Sequence, residues 1–194
     1  MSNAPHRFAL IQRLLHWLMA ACIIAMLFIG VGMVSTVAPT YLPLILIHKT
    51  LGVTLLALVV IRLALRRHYS APPLPADLPP AMKLAARLSH QLLYGFMIVM
   101  PLLGLGMLWA AAYPVVLYGD IRIPALLPQS DRLHTLLWDA HFYLAFAFFA
   151  LVLLHAAAAL FHALVRRDGV FETMASAGAT YEEVAPAKQG RHAV

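Results

Sequence analysis

Five histidines stand in or beside long apolar runs of the chain: His16, His48, His90, His141 and His155. Ionisable side chains at membrane depth are costly and usually serve a function there. His141 and His155 are fourteen positions apart. That interval is nearly four helical turns, so both rings share a face and stand ~21 Å apart along the axis. The gap is too long for one metal ion and leaves room for two separate cofactors stacked across a bilayer. Neutral imidazole is a good iron ligand. The chemistry this pattern suggests is bis-histidine binding of two b-type haems. Covalent haem attachment is excluded, because the one cysteine, Cys22, lies in an apolar run and no Cys-x-x-Cys-His sequence exists.

The elements that must position these rings follow from composition. Of 194 residues, 62% are hydrophobic and 11% charged. A soluble domain carries about 25% charged residues, so lipid is the expected solvent. A span needs ~20 mainly apolar residues. Four stretches qualify: Leu14–Val34, Pro43–Leu65, Leu88–Trp109 with Pro101 inside it, and Ala140–Val165. The expected fold class is all-α, an integral membrane four-helix bundle. Residues 1–170 form the expected transmembrane di-haem domain, and 171–194 a polar, flexible tail. The first apolar run exceeds the length of a signal-peptide core, so it is read as a retained span. Asn3 and Pro5 suit a helix start. Five prolines between His68 and Pro80 stop the second helix. A short interfacial helix is expected around Arg132–Trp138 in the long third loop.

Charge sets the expected orientation. Arg7 and Arg13 flank the first span, Arg66, Arg67, Lys83 and Arg87 surround the second loop, and Arg166 and Arg167 follow the fourth span. In the third loop Arg122 and Arg132 are offset by Asp120, Asp131 and Asp139. The positive-inside rule then makes both termini and the second loop cytoplasmic. The net charge of +6 is explained by topology, and no nucleic-acid partner is expected. Trp17, Tyr41, Trp109, Tyr113 and Trp138 fall near span ends, as an aromatic belt requires.

Depth pairs the histidines. His48 and His141 each begin a span running inward, so they share the outer level. His16 and His155 share the inner level. His90 starts the third span near the inner level and competes with His16, or hydrogen-bonds a propionate or a quinone carbonyl. Gly52, one turn after His48, and Gly30 and Gly104, each fourteen residues after a histidine, give a macrocycle room. Arg62 stands fourteen residues after His48 and suits a haem propionate. The plain alternative is that each histidine bridges helices, that Arg62 snorkels, and that Pro101 is a tolerated kink. His134 and His162 are read as such structural residues.

The motifs that carry a resemblance are Arg13-Leu-Leu-His-Trp17, Ile47-His-Lys-Thr-Leu-Gly52 followed by Val60-Ile-Arg-Leu63, Leu88-Ser-His90 with Met100-Pro-Leu-Leu-Gly104, and His141 with Leu154-His-Ala-Ala-Ala-Ala-Leu160. In this order they resemble the bacterial di-haem cytochrome b-561 proteins, relatives of the cytochrome b subunits of hydrogenases and formate dehydrogenases. The resemblance implies two non-covalent haems b, ligated by His16 with His155 and by His48 with His141. It implies electron exchange with ubiquinone, and one branch oxidises superoxide at the periplasmic face. Partners expected here are the lipid bilayer, ubiquinone and an electron donor, either superoxide or a protein, with dimerisation left open. Two other readings stand beside this one: a haem-bearing anchor for a separate dehydrogenase, and a histidine-based metal transporter or structural bundle. Spans without Asp or Glu speak against cation transport.

Overall fold

The computed structural model describes residues 7–175. Four helices dominate: α1 (Leu10–Ser35), α2 (Tyr41–His68), α3 (Pro80–Ala110) and α4 (Asp131–Phe161). Each is long and apolar enough to cross a membrane. The chain is therefore a multi-pass membrane protein, as its composition demands. Phe28, Tyr143 and Leu164 are 75%, 68% and 65% exposed, and only a lipid solvent makes such outward faces favourable.

Helix ends follow local chemistry. The Ala9 N–H donates to Gln12 Oε1, so α1 starts at Leu10 rather than near Asn3 and Pro5, which lie outside the described residues. Basic Arg66, Arg67 and His68 complete the last turn of α2, where the helix dipole favours cations. Pro80 opens α3, where its missing N–H costs nothing. The helix runs on through Pro101. Ser130 caps α4 by accepting from the Leu133 N–H, with Asp131 in the first turn. Residues Arg132–Trp138 are consequently the first turns of α4, not a separate interfacial helix. No glycine or proline interrupts the run from there to Phe161, so nothing breaks it. The α4 axis continues as a π-helical turn, His162–Arg166, and ends at Arg167 in the left-handed region.

The loop between α3 and α4 holds an antiparallel hairpin, β1 (Val115–Leu117) with β2 (Ile121–Ile123), pairing Val116 with Arg122. Tyr118 and Gly119 turn it with positive φ values of 51° and 91°. Val115 and Leu117 pack with Leu105 against α2 and α3, and the Tyr118 hydroxyl bonds Thr54 on α2.

α1 packs on α2 and α3 on α4, and the two hairpins meet chiefly along α2 and α3. Leu15, Met19 and Val59 form one buried cluster, with Tyr94, Met97 and Ile98 against it. Lipid is as apolar as these side chains, so shape fit and polar contacts hold the helices together. Many such contacts lie at the end carrying both chain termini. The Phe8 N–H donates to Thr173 O (3.3 Å), Trp17 Nε1 to Met174 O (2.9 Å) and Arg13 to Ala175 O (2.9 Å). Arg166 joins Asp77 of the second loop at 2.9 Å. The two ends of the described chain, at Phe8 and Ala175, and the second loop therefore share one side of the bundle, and the contacts run past residue 170. The rest of the expected tail lies outside the described residues.

Candidate functional site

Four of the helices' histidines meet as two facing pairs. On the side away from the termini, His48 of α2 faces His141 of α4, with ring centroids 6.1 Å apart and planes at 68°. Nearer the termini, His16 of α1 faces His155 of α4 at 6.4 Å and 70°. His90 of α3 joins this second level, 5.4 Å from the His155 ring. α1 and α4, which pack little directly, thus approach each other through their imidazoles.

Nearby groups orient the rings. His141 Nδ1 lies 3.1 Å from the Met100 carbonyl on α3, so Nδ1–H donates and Nε2 keeps its lone pair. His90 Nδ1–H donates to Ala86 O one turn back at 2.6 Å, with the same result. His48 Nδ1 is buried without a hydrogen-bond partner. His16 Nδ1 instead faces the Arg62 guanidinium at 3.2 Å. A carbonyl one turn back on the ring's own helix is thus the acceptor at His90 and not at His16, His48 or His141.

The glycines have distinct places. A Cβ on Gly104 would come 3.4 Å from His141 Cε1, and one on Gly30 would come 3.9 Å from His48 Cε1. Both leave space beside a ring of the outer pair. Gly52 faces the Met26 methyl of α1 instead. Arg62 does not snorkel. It reaches inward to Gln12 O (3.1 Å), the Tyr94 hydroxyl (3.2 Å) and His16. Gln12 and Tyr94 escaped the sequence reading. Tyr94 follows His90 by one turn, a spacing that places both on one face.

His134 donates from Nδ1 to Met107 O at 2.9 Å, a structural contact as expected. His162 bonds Asp168 at 2.8 Å beneath the bundle. Together with His141, Phe148 and His155 they recur at seven-residue intervals along α4 and into the π-helical turn that follows it.

These features define a membrane-spanning helical bundle that presents two levels of paired imidazoles. Residues 7–177 match the family model for prokaryotic cytochrome b561, and the chain belongs to that family. It is 30% identical over 176 residues to cytochrome b561 homolog 2 of Escherichia coli (strain K12), covering 89% of this chain and 93% of that protein. Cytochrome b561 homolog 1 of the same organism is 29% identical over 178 residues, covering 87% and 97%. The "Probable superoxide oxidase CybB" of Yersinia pestis is 25% identical over 169 residues, covering 87% and 95%.

Membership implies haem b binding. A metal–nitrogen bond of ~2.0–2.1 Å, with the ring centre ~1.1 Å behind the nitrogen, puts two opposed imidazole ligands about 6.3 Å apart, centroid to centroid. The separations of 6.1 and 6.4 Å fit that requirement, whereas 5.4 Å for His90 is too short. Donor chemistry fits at His141, where Nε2 is free to ligate. At His16 the ring fits by distance, and Arg62 has to release Nδ1 before Nε2 can offer a lone pair.

Proposed function

We propose that the protein is a di-haem b-type cytochrome of the bacterial inner membrane, with both termini cytoplasmic, that passes electrons to or from the ubiquinone pool. The observation that carries the reading is the pair of facing imidazole couples at 6.1 and 6.4 Å, set fourteen residues apart on α4. His48 with His141 would hold the outer haem, and His16 with His155 the inner one. Haem bound in this way supplies one-electron exchange.

The chain's own residues supply the rest. With two histidines to hold it at each site, a bound haem would favour electron transfer over oxygen binding. The Met100 carbonyl fixes the His141 tautomer and ring orientation. Gly30 and Gly104 leave room beside the outer rings. Arg62 and Tyr94 offer donors to an anionic propionate at the inner level. His90, with Nδ1–H given to Ala86, keeps the Nε2 lone pair, which can accept a hydrogen bond from a quinol hydroxyl.

Superoxide is the donor that the name of the Yersinia pestis relative supports. The far-side loop carries Arg122 and Arg132 against Asp120, Asp131 and Asp139, so steering of an anion by net charge is weak. Purification in detergent tests the reading through oxidised and dithionite-reduced spectra with a pyridine haemochrome assay. Two haems b per chain are expected, reducible by ubiquinol or superoxide. A colourless protein would overturn the proposal.

A further inference from the structure

The two levels are linked by a common interval. His16 and Gly30, His48 and Arg62, His90 and Gly104, and His141 and His155 are each fourteen residues apart. Half-way between them stand Ile23 on α1, Leu55 on α2, Met97 on α3 and Phe148 on α4. All four are apolar. Leu55 and Phe148 are 6% and 8% exposed, and Phe148 is the one buried residue of α4. Its ring stacks on Phe96 of α3, with centroids 5.3 Å apart and planes at 14°. Along the α3–α4 contact this stack falls between the His90–His155 approach and the place where Gly104 meets His141.

Polar groups crowd the core on either side. His48 and His141 lie beyond the layer, and His16, Arg62, His90, Tyr94 and His155 lie before it. Both sets meet α4, through His141 and His155, fourteen residues apart on that one helix. Chains of ionisable groups through a bilayer serve as proton relays. A buried water needs two to four polar partners; the side chains of Ile23, Leu55, Phe96 and Phe148 offer none, and Met97 only a weakly accepting thioether.

We propose that the layer of Ile23, Leu55, Met97 and Phe148, sealed by the Phe96–Phe148 stack, is a dry partition that stops water and protons from passing between the two histidine levels. An electron can tunnel across such a layer, whereas a proton needs a hydrogen-bonded path. The layer thus keeps an electron-carrying bundle from short-circuiting the proton gradient of its membrane. Its purpose rests on the di-haem reading, but its sealing does not.

The test uses the full-length protein in liposomes with a trapped pH-sensitive dye and with valinomycin to clamp the voltage. Wild-type and Phe148→Leu vesicles are expected to hold an imposed pH gradient equally long. Phe148→Asn, which places an amide in the layer, is expected to dissipate it several-fold faster. The partition is overturned if Phe148→Asn vesicles are as tight as wild type at equal folded protein, or if Phe148→Leu leaks as fast as Phe148→Asn. Should Phe148→Asn fail to fold, Leu55→Thr is judged by the same comparison. Haem stoichiometry on the same preparations keeps the two failures apart. Wild type without haem sinks the proposed function and leaves the leak result standing.

Discussion

The Arg62 guanidinium lies 3.2 Å from Nδ1 of His16, while its remaining donors engage Gln12 O and the Tyr94 hydroxyl. One side chain of α2 thereby ties α1 to α3. Arginine only donates, so His16 Nδ1 accepts, and the neutral ring carries its proton on Nε2. His90 and His141 have the opposite tautomer, imposed by carbonyls. The two levels therefore differ in electrostatics, with a fixed cation at the inner one.

That asymmetry predicts unequal haem potentials. A cation beside a haem favours the reduced state, which carries one less positive charge. At an effective dielectric of ~20 and a separation of ~8 Å, a unit charge is worth roughly 2 kcal/mol. Arg62→Met is expected to lower one of two midpoint potentials by on the order of 50–100 mV and leave the other nearly unmoved. Spectroelectrochemical titration in detergent checks it. Equal shifts of both potentials would show that Arg62 does not act on the inner level alone.

The facing pairs make a sharper prediction about content. His48→Leu or His141→Leu is expected to halve the pyridine haemochrome signal, from two haems per chain to one. The retained haem should keep its own spectrum, since the other pair stands about 21 Å away along the axis. A variant that keeps both haems would show the outer pairing to be wrong.

The spans and the opposed histidines were legible because hydropathy and the helical period act along one helix at a time. His141 and His155 announce two levels without any knowledge of neighbours. What the sequence left hidden depends on contacts between helices. Nothing in α2 alone says that Arg62 turns inward to His16 rather than outward to the interface. Nor does the sequence near His141 point to the Met100 carbonyl on another helix. The far-side hairpin went unseen because its strands are three residues each, Val115–Leu117 and Ile121–Ile123, too short for alternation to register. Phe148 is hidden for another reason: it falls midway between His141 and His155, where an apolar residue reads as ordinary core.

Gly104 tests how closely the outer ring is confined. A Cβ there would meet His141 Cε1 at 3.4 Å, an ordinary contact. Gly104→Ala should therefore keep both haems, and its gain in helix propensity of about 1 kcal/mol works in its favour. Gly104→Leu has to push the His141 ring away from His48, and is expected to lose the outer haem while keeping the inner one. Haem content and the thermal unfolding of the two variants, measured side by side, decide the point. Loss of both haems in Gly104→Leu would mean general misfolding rather than a local clash.

Beneath the bundle, Asp168 is the carboxylate that matters and Asp77 the one that does not. Asp168 is 8% exposed and accepts from His162 Nδ1 and Arg166 Nε, each at 2.8 Å, and from the Val170 N–H at 3.3 Å. Asp77 is 76% exposed and meets Arg166 at 2.9 Å, the kind of surface pair that contributes little. Burial works to raise the Asp168 carboxyl, and hydrogen bonds from Arg166, His162 and Val170 outweigh it, holding the group below the usual carboxylate range. A carboxylate depressed by folding stabilises the protein above its unfolded pKa and loses that contribution as pH falls through the folded value. Stability at neutral pH should therefore drop on acidification into the carboxylate range. Asp168→Asn should reduce this acid dependence and lower the unfolding temperature at pH 7 by several degrees, whereas Asp77→Asn should alter neither. Thermal melts in detergent between pH 7 and pH 3 separate the two. An unchanged acid profile in Asp168→Asn would place the sensitivity elsewhere and deny this clasp its role in holding the end of α4.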